Sequence, residues 1–277
     1  MKKILPILPI LLLIFSCTKQ VGVAGPTGAQ GATGATGGGS VNDTGTITGQ
    51  VSLYNEFSFP QSGFSGVTVT ITSGSVQFTA TTSASGTYQF SGMHTDTYNL
   101  TYQKTGYGTM KIYGLSHFAG GQQPTAVQSV DLIQIPVKTA VTSLSTAYIT
   151  YPYIGVDITL DTSSQTYVQY PQNFLLFLGK TPQAGPSSYI QIISNNFFPD
   201  GSGGYNNFLD RNALSTQFQT GDTIYMTAYT YNRYLYPSAY AATPQDGGTS
   251  AYYIDPSTGL YVYPNLSTAS NLLKVVF

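Results

Sequence analysis

Histidine, glutamate and cysteine, the residues most often used for proton transfer or metal binding beside aspartate, are scarce: His94 and His117, Glu56 and Cys17. General acid–base chemistry needs convergent titratable groups, and a zinc site needs clustered His or Cys. Neither histidine has a metal-ligand spacing to another, so both read as solvated loop residues. Asp157 and Asp161 have the composition of a glycosidase carboxylate pair, but four residues apart on a strand they share its wet face. The run Asp200-Gly201-Ser202-Gly203-Gly204 is turn chemistry, with one carboxylate where a calcium loop brings several. No H-E-x-x-H, G-x-S-x-G or phosphate-loop pattern occurs. The expectation is no enzyme, no catalytic residues, no metal and no cofactor.

A binding constellation is better represented. Tyr231, Arg233, Tyr234, Tyr236 and Tyr240 fall in one stretch between two strand-like runs. Rigid amphipathic Tyr beside Arg and Asn suits contact with a sugar face or a protein partner, and loops at the ends of a sandwich are where such residues act. The competing reading is that Tyr simply fills core positions, since the chain holds 23 of them.

These residues must be positioned by β-structure. The chain has 277 residues, 41% hydrophobic and 8% charged against roughly 25% in an ordinary soluble domain. Ten basic residues oppose eleven acidic ones, so no charged face is available to steer nucleic acid. From Thr46 to Ile135 the apolar residues alternate with polar ones: Val67, Val69 and Ile71 against Thr68, Thr70 and Thr72, and Tyr98, Leu100 and Tyr102 against Asn99, Thr101 and Gln103. Beyond Val137, Val156, Ile158 and Leu160 alternate with Asp157, Thr159 and Asp161, while Phe174 to Leu178 is a continuous apolar run suited to a strand covered on both faces. The fold class expected is all-β, two consecutive antiparallel sandwiches at 45–136 and 137–277.

The N-terminus has its own pattern. Lys2 and Lys3 precede an apolar run from Ile4 to Phe15, shorter than the ~20 residues that span a bilayer. Residues 1–16 therefore read as a signal peptide. Ile14-Phe15-Ser16-Cys17 resembles a bacterial lipobox, with Phe15 where a small residue is usual, and the resemblance implies lipid attachment at Cys17 and anchoring to the membrane. An ordinary signal peptide with a cysteine nearby is the alternative. Thr18 in place of Asp implies the outer membrane, and with no acidic run after Cys17 both the periplasmic and extracellular faces fit. Residues 17–44 include Gly at 25, 28, 31, 34 and 37, which resembles a collagen-like segment. With a single Pro in those triplets, it is expected to act as a spacer in a monomer, a trimer following only if the triplets assemble.

Two further resemblances concern the sandwiches. Gly49 and Val51, Gly66-Val67-Thr68-Val69, Thr82, Gly86-Thr87-Tyr88-Gln89-Phe90, Met93, Tyr98-Asn99-Leu100 and Gly106-Tyr107 resemble the carboxypeptidase regulatory-like family, a transthyretin-like sandwich that implies an accessory module without an active site. Phe218 to Asn232 resembles the sixth strand of a fibronectin type III or immunoglobulin-like domain, which would make Tyr225 its corner tyrosine. The functional expectation is a lipid-anchored envelope protein with a non-catalytic binding or structural role, adhesion or glycan capture, partnered by a glycan or an envelope protein. An accessory subunit of an outer-membrane assembly and an envelope glycan hydrolase are the alternatives.

Overall fold

A computed structural model describes residues 43–121, 123–160, 173–194, 198–199, 204–231, 234–235, 249–250 and 252–277. The chain is all-β, as its alternation requires. Eight strands build the first half: β1 (Gly45–Tyr54), β2 (Thr68–Ser73), β3 (Val76–Thr81), β4 (Thr87–Met93), β5 (Asp96–Gln103), β6 (Met110–His117), β7 (Thr125–Ala126) and β8 (Val130–Ile133). They form two sheets, β3-β2-β5-β6 and β4-β1-β7 with β8 also paired to β1. Val67, Val69, Ile71, Tyr98, Leu100 and Tyr102 are all buried in the core between them, as period two demands. Gly49 lies opposite Tyr88 in the β1–β4 ladder, and a Cβ there would sit 2.3 Å from the Tyr88 hydroxyl. The missing side chain admits the Tyr88 ring, whose hydroxyl pairs with that of Tyr102 at 2.7 Å inside the core. Burial pushes the Tyr88 phenol up to about 12.

The second half begins with β9 (Val141–Thr150), β10 (Tyr153–Leu160), β11 (Asn173–Gly179), β12 (Gln191–Ser194), β13 (Phe198–Pro199) and β14 (Gly204–Asp210). A single-turn helix α1 (Arg211–Leu214) follows, then β15 (Thr223–Tyr231), β16 (Tyr234–Leu235), β17 (Thr249–Ser250), β18 (Tyr253–Ile254), β19 (Tyr261–Val262) and β20 (Leu273–Val276). Its two four-stranded sheets run β13-β14-β10-β9 and β12-β11-β15-β20. Val156, Ile158 and Leu160 face Phe174, Leu176 and Leu178 in one core. The other face of β11 is also covered: Leu175 and Phe177 are buried with Tyr231 against Tyr189, Tyr229, Tyr263 and Leu266. That is why Phe174 to Leu178 carries no alternation. Phe177 meets Tyr189, Tyr229 and Tyr263 at centroid distances of 5.3–5.5 Å, an outer aromatic layer that absorbs several of the chain's tyrosines. Tyr225 is half-buried on this outer side of β15, away from the core held by Ile224 and Met226.

Gly39–Phe277 is one compact unit, and two contacts show what joins its halves. Glu56, just after β1, is buried, and its Oε2 accepts the amides of Val137 and Lys138 at 2.9 Å each and that of Thr139 at 3.3 Å. One carboxylate thus holds the segment that leads into β9. Tyr253 of β18 is buried in the first core, with Val262 of β19 packed beside it and Asp255 3.8 Å from Lys111 of β6. Burial and the Asp255 carboxylate push the Tyr253 phenol up to about 12.

Candidate functional site

The titratable residues singled out by chemistry do not converge. His94 is exposed in the turn between β4 and β5. His117 corrects the expectation of a solvated loop residue: it is buried at the end of β6, with Nδ1 2.7 Å from the Thr125 hydroxyl and Nε2 3.2 Å from the Met93 carbonyl. Both ring nitrogens therefore have structural partners. Gly45 leaves the space for the ring, since a Cβ there would lie 2.8 Å from it. Asp157 is half-buried on the outer face of β10, whereas Asp161 and residues 200–203 lie outside the described residues. Among the described residues no group of three or more His, Cys, Asp or Glu could hold a metal.

Of the tyrosine stretch, Tyr231 ends β15 and is buried in the outer aromatic layer. The backbone of Tyr234 pairs with Ser250 in β16 and β17. Arg233, Tyr236 and Tyr240 lie outside the described residues, as does Cys17.

The described residues place exposed aromatic side chains elsewhere, on the outer face of the β9–β10–β14 sheet. Ile154, Val156 and Ile158 point into the core, so Tyr153, Gly155, Asp157 and Thr159 point out. The register sets them in cross-strand rows: Thr150–Tyr153–Asp210, then Tyr148–Gly155–Phe208, then Ser145–Asp157–Asn206. Rows two residues apart along a strand are about 7 Å apart. In the middle row the outer strands stand two strand spacings apart, about 10 Å, with a glycine between them. Yet the Tyr148 and Phe208 ring centroids are 5.9 Å apart and their planes differ by 33°. The Tyr148 ring leans inward over Gly155 toward Phe208. Three carbons of the Tyr148 ring lie 2.8–3.1 Å from where a Gly155 Cβ would be, so the ring occupies that side chain's place.

The result is an aromatic platform with its upper surface in solvent: Tyr148 is 41% exposed, Phe208 47% and Tyr153 44%. Tyr151, in the β9–β10 turn, is 72% exposed and donates its hydroxyl to Asn212 Oδ1 at 2.8 Å. Asp210 caps α1 by accepting the Asn212 amide at 2.8 Å, and the Arg211 amide donates to the Pro152 carbonyl at 2.8 Å. The helix thereby ties the hairpin tip to β14. On the far side of the rings stand the hydrogen-bonding groups of Ser145, Asp157 and Asn206. An aromatic face flanked by carboxylate, carboxamide and hydroxyl groups can pack the C–H face of a sugar ring and bond its hydroxyls. Sequence reading missed it, although continuing the alternation of β10 backward already turns Gly155 and Tyr153 outward. The pairing of Tyr148 with Phe208 carries no sequence signal, because their strands meet only in the sheet.

A second concavity, an open groove of about 580 Å³, lies in the first half over Thr48, Gln50, Thr87 and Gln89, and no charged side chain lines it.

No family model matches the chain, and no curated protein does. Similar solved structures include a candidate carbohydrate-binding protein from Bacteroides uniformis, 11% identical, covering 84% of this chain and 99% of the other with a TM-score of 0.31. A DUF3823 family protein from Parabacteroides merdae is 12% identical over 84% of this chain and 98% of its own, with a TM-score of 0.29. The major pilin SpaD of Corynebacterium diphtheriae is 12% identical over 86% and 68%, with a TM-score of 0.30.

Proposed function

We propose that this is a lipid-anchored cell-envelope protein that captures glycans without processing them. The observation that carries the reading is the Tyr148–Phe208 platform at Gly155, two half-exposed rings side by side on the outer face of the sheet beside polar groups. Large exposed apolar side chains gathered at one place, rimmed by polar residues, mark binding sites. Cys17 supplies the lipid attachment, residues 17–44 the spacer, and the sandwich at 45–136 a carboxypeptidase regulatory-like support for the sandwich at 137–277. The loop of Arg233, Tyr234, Tyr236 and Tyr240 is a second place where ligand contacts fit this role.

The test uses the full chain extracted in detergent on immobilised neutral polysaccharides. Tyr148→Ala and Phe208→Ala should each weaken retention while the melting temperature stays within a few degrees, since both side chains are half-exposed. Retention unchanged in both variants overturns glycan capture at this face. The anchor is tested separately: Cys17→Ala should release the protein from the membrane fraction or leave an unprocessed precursor, and a processed variant that stays membrane-bound refutes lipidation.

A further inference from the structure

The outer face that carries the platform is longer than one sugar ring, and its three rows differ in chemistry. We infer that its ligand is an uncharged, linear oligosaccharide of two or more units, laid along β10. This rests on the glycan reading above and specifies its ligand.

The length follows from the register. Tyr153 stands one row from the Tyr148–Phe208 pair, about 7 Å along the strand, and Asp157 with Asn206 one row further on the other side. A pyranose is about the size of a tyrosine ring. One unit therefore covers one row, and a single sugar on the central pair leaves Tyr153 and Asp157 unused. Two aromatic stations followed by a polar one suit successive units of one chain.

The direction follows from the strands. Tyr153, Gly155 and Asp157 lie in line on β10, which is flanked by β9 and β14. In the central row β10 contributes no side chain of its own, because Gly155 is the residue there and the Tyr148 ring covers it.

The charge preference follows from which ionised groups are present. In the three rows the charged side chains are Asp157 and Asp210, both carboxylates. Carboxylates accept hydrogen bonds from sugar hydroxyls but repel a uronate, and with no cation in the rows an acidic glycan has no counter-charge.

The experiment is calorimetric titration of the detergent-extracted full chain with neutral gluco-, xylo-, manno- and N-acetylglucosamine oligomers of one to six units, with oligogalacturonates of the same lengths as the acidic counterpart. Affinity for the binding neutral series should rise at least tenfold from one unit to three and then level off. Tyr153→Ala should remove most of that rise. Oligogalacturonates should bind at least tenfold more weakly. A single unit binding as tightly as a trimer, a length dependence untouched by Tyr153→Ala, or equal affinity for oligogalacturonates overturns the inference, while the glycan reading survives if Tyr148→Ala still abolishes binding. Failure of every series to bind, or binding indifferent to Tyr148→Ala and Phe208→Ala, overturns the glycan reading itself.

Discussion

Gly155→Ala is the sharpest perturbation of the platform, because it adds one methyl group and removes nothing. Built on the present backbone, that methyl would stand 2.8, 2.9 and 3.1 Å from three carbons of the Tyr148 ring, closer than carbon atoms approach without displacement. Gly155 is in extended backbone within β10, so alanine adopts its conformation without strain. What yields is the Tyr148 side chain, which is 41% exposed and has solvent on one side into which to swing. The fold should therefore be little affected. Replacing a strand-interior glycine by alanine contributes about 0.5–1 kcal/mol of stability, which offsets the lost contact between Tyr148 and Phe208. Binding should behave differently. Deleting an aromatic anchor outright costs about 2 kcal/mol or more, and tilting one ring out of a two-ring platform should cost about half to all of that, some five- to thirtyfold in affinity. The assay pairs calorimetric binding of a neutral oligosaccharide with a thermal melt of the same preparation. A melting temperature within about 3 °C of the parent together with a clear loss of affinity is the expected result. Unchanged affinity in a variant whose ring resonances show Tyr148 displaced would refute the platform as the binding surface.

Three further outcomes follow from the interior. Glu56→Ala leaves the amides of Val137, Lys138 and Thr139 without their common acceptor, and since hydrogen bonds to a charged group are worth about 1.5–3 kcal/mol, a net loss of about 3 kcal/mol should lower the melting temperature by roughly 6–12 °C. Faster amide exchange confined to those three residues would locate the effect, and unaltered exchange there would refute it. Tyr253→Ala should cost about 3 kcal/mol and lower the exchange protection of β6 in the first half, although the residue belongs to the second; unchanged β6 protection would show that the two halves are not coupled through it. The Tyr88 phenol, raised by burial from 10 to about 12, stays neutral in the fold at pH values where the unfolded chain has already lost its proton. Its contribution is therefore complete below pH 10 and disappears between pH 10 and 12, a loss of about 2–3 kcal/mol, and a Tyr88→Phe variant should show a correspondingly flatter alkaline decline in stability.

The strands were legible because their cause is local. Val156, Ile158 and Leu160 announce a half-buried strand within five residues, and Phe174 to Leu178 announces a strand buried on both sides, which the layer of Tyr189, Tyr229 and Tyr263 over Phe177 provides. His117 was misread for the opposite reason. Its burial depends on a hydroxyl from β7, a carbonyl from the end of β4 and the space above Gly45, three groups brought together only by the completed sheets. Glu56 stood out in the sequence as the one glutamate, but its role needed the position of the amides at 137–139.

Tyrosine is where composition alone could not decide. The same residue type makes the core pair Tyr88–Tyr102, the outer layer around Phe177, the bolt Tyr253 between the halves and the exposed platform at Tyr148 and Tyr153. For Tyr88 and Tyr148 the residue across the ladder is a glycine, and the face it opens separates their fates. Gly49 opposite Tyr88 opens room on the inner face, and the ring goes into the core to find a hydroxyl partner. Gly155 opposite Tyr148 opens room on the outer face, and the ring lies down on the sheet with one side still in water. A glycine paired with a tyrosine is thus one device used twice, and the strand's alternation decides whether it yields packing or a surface for a ligand. For the tyrosines beyond Tyr231 the same criterion applies: those set opposite outward-facing small residues are the ones to expect at a binding surface.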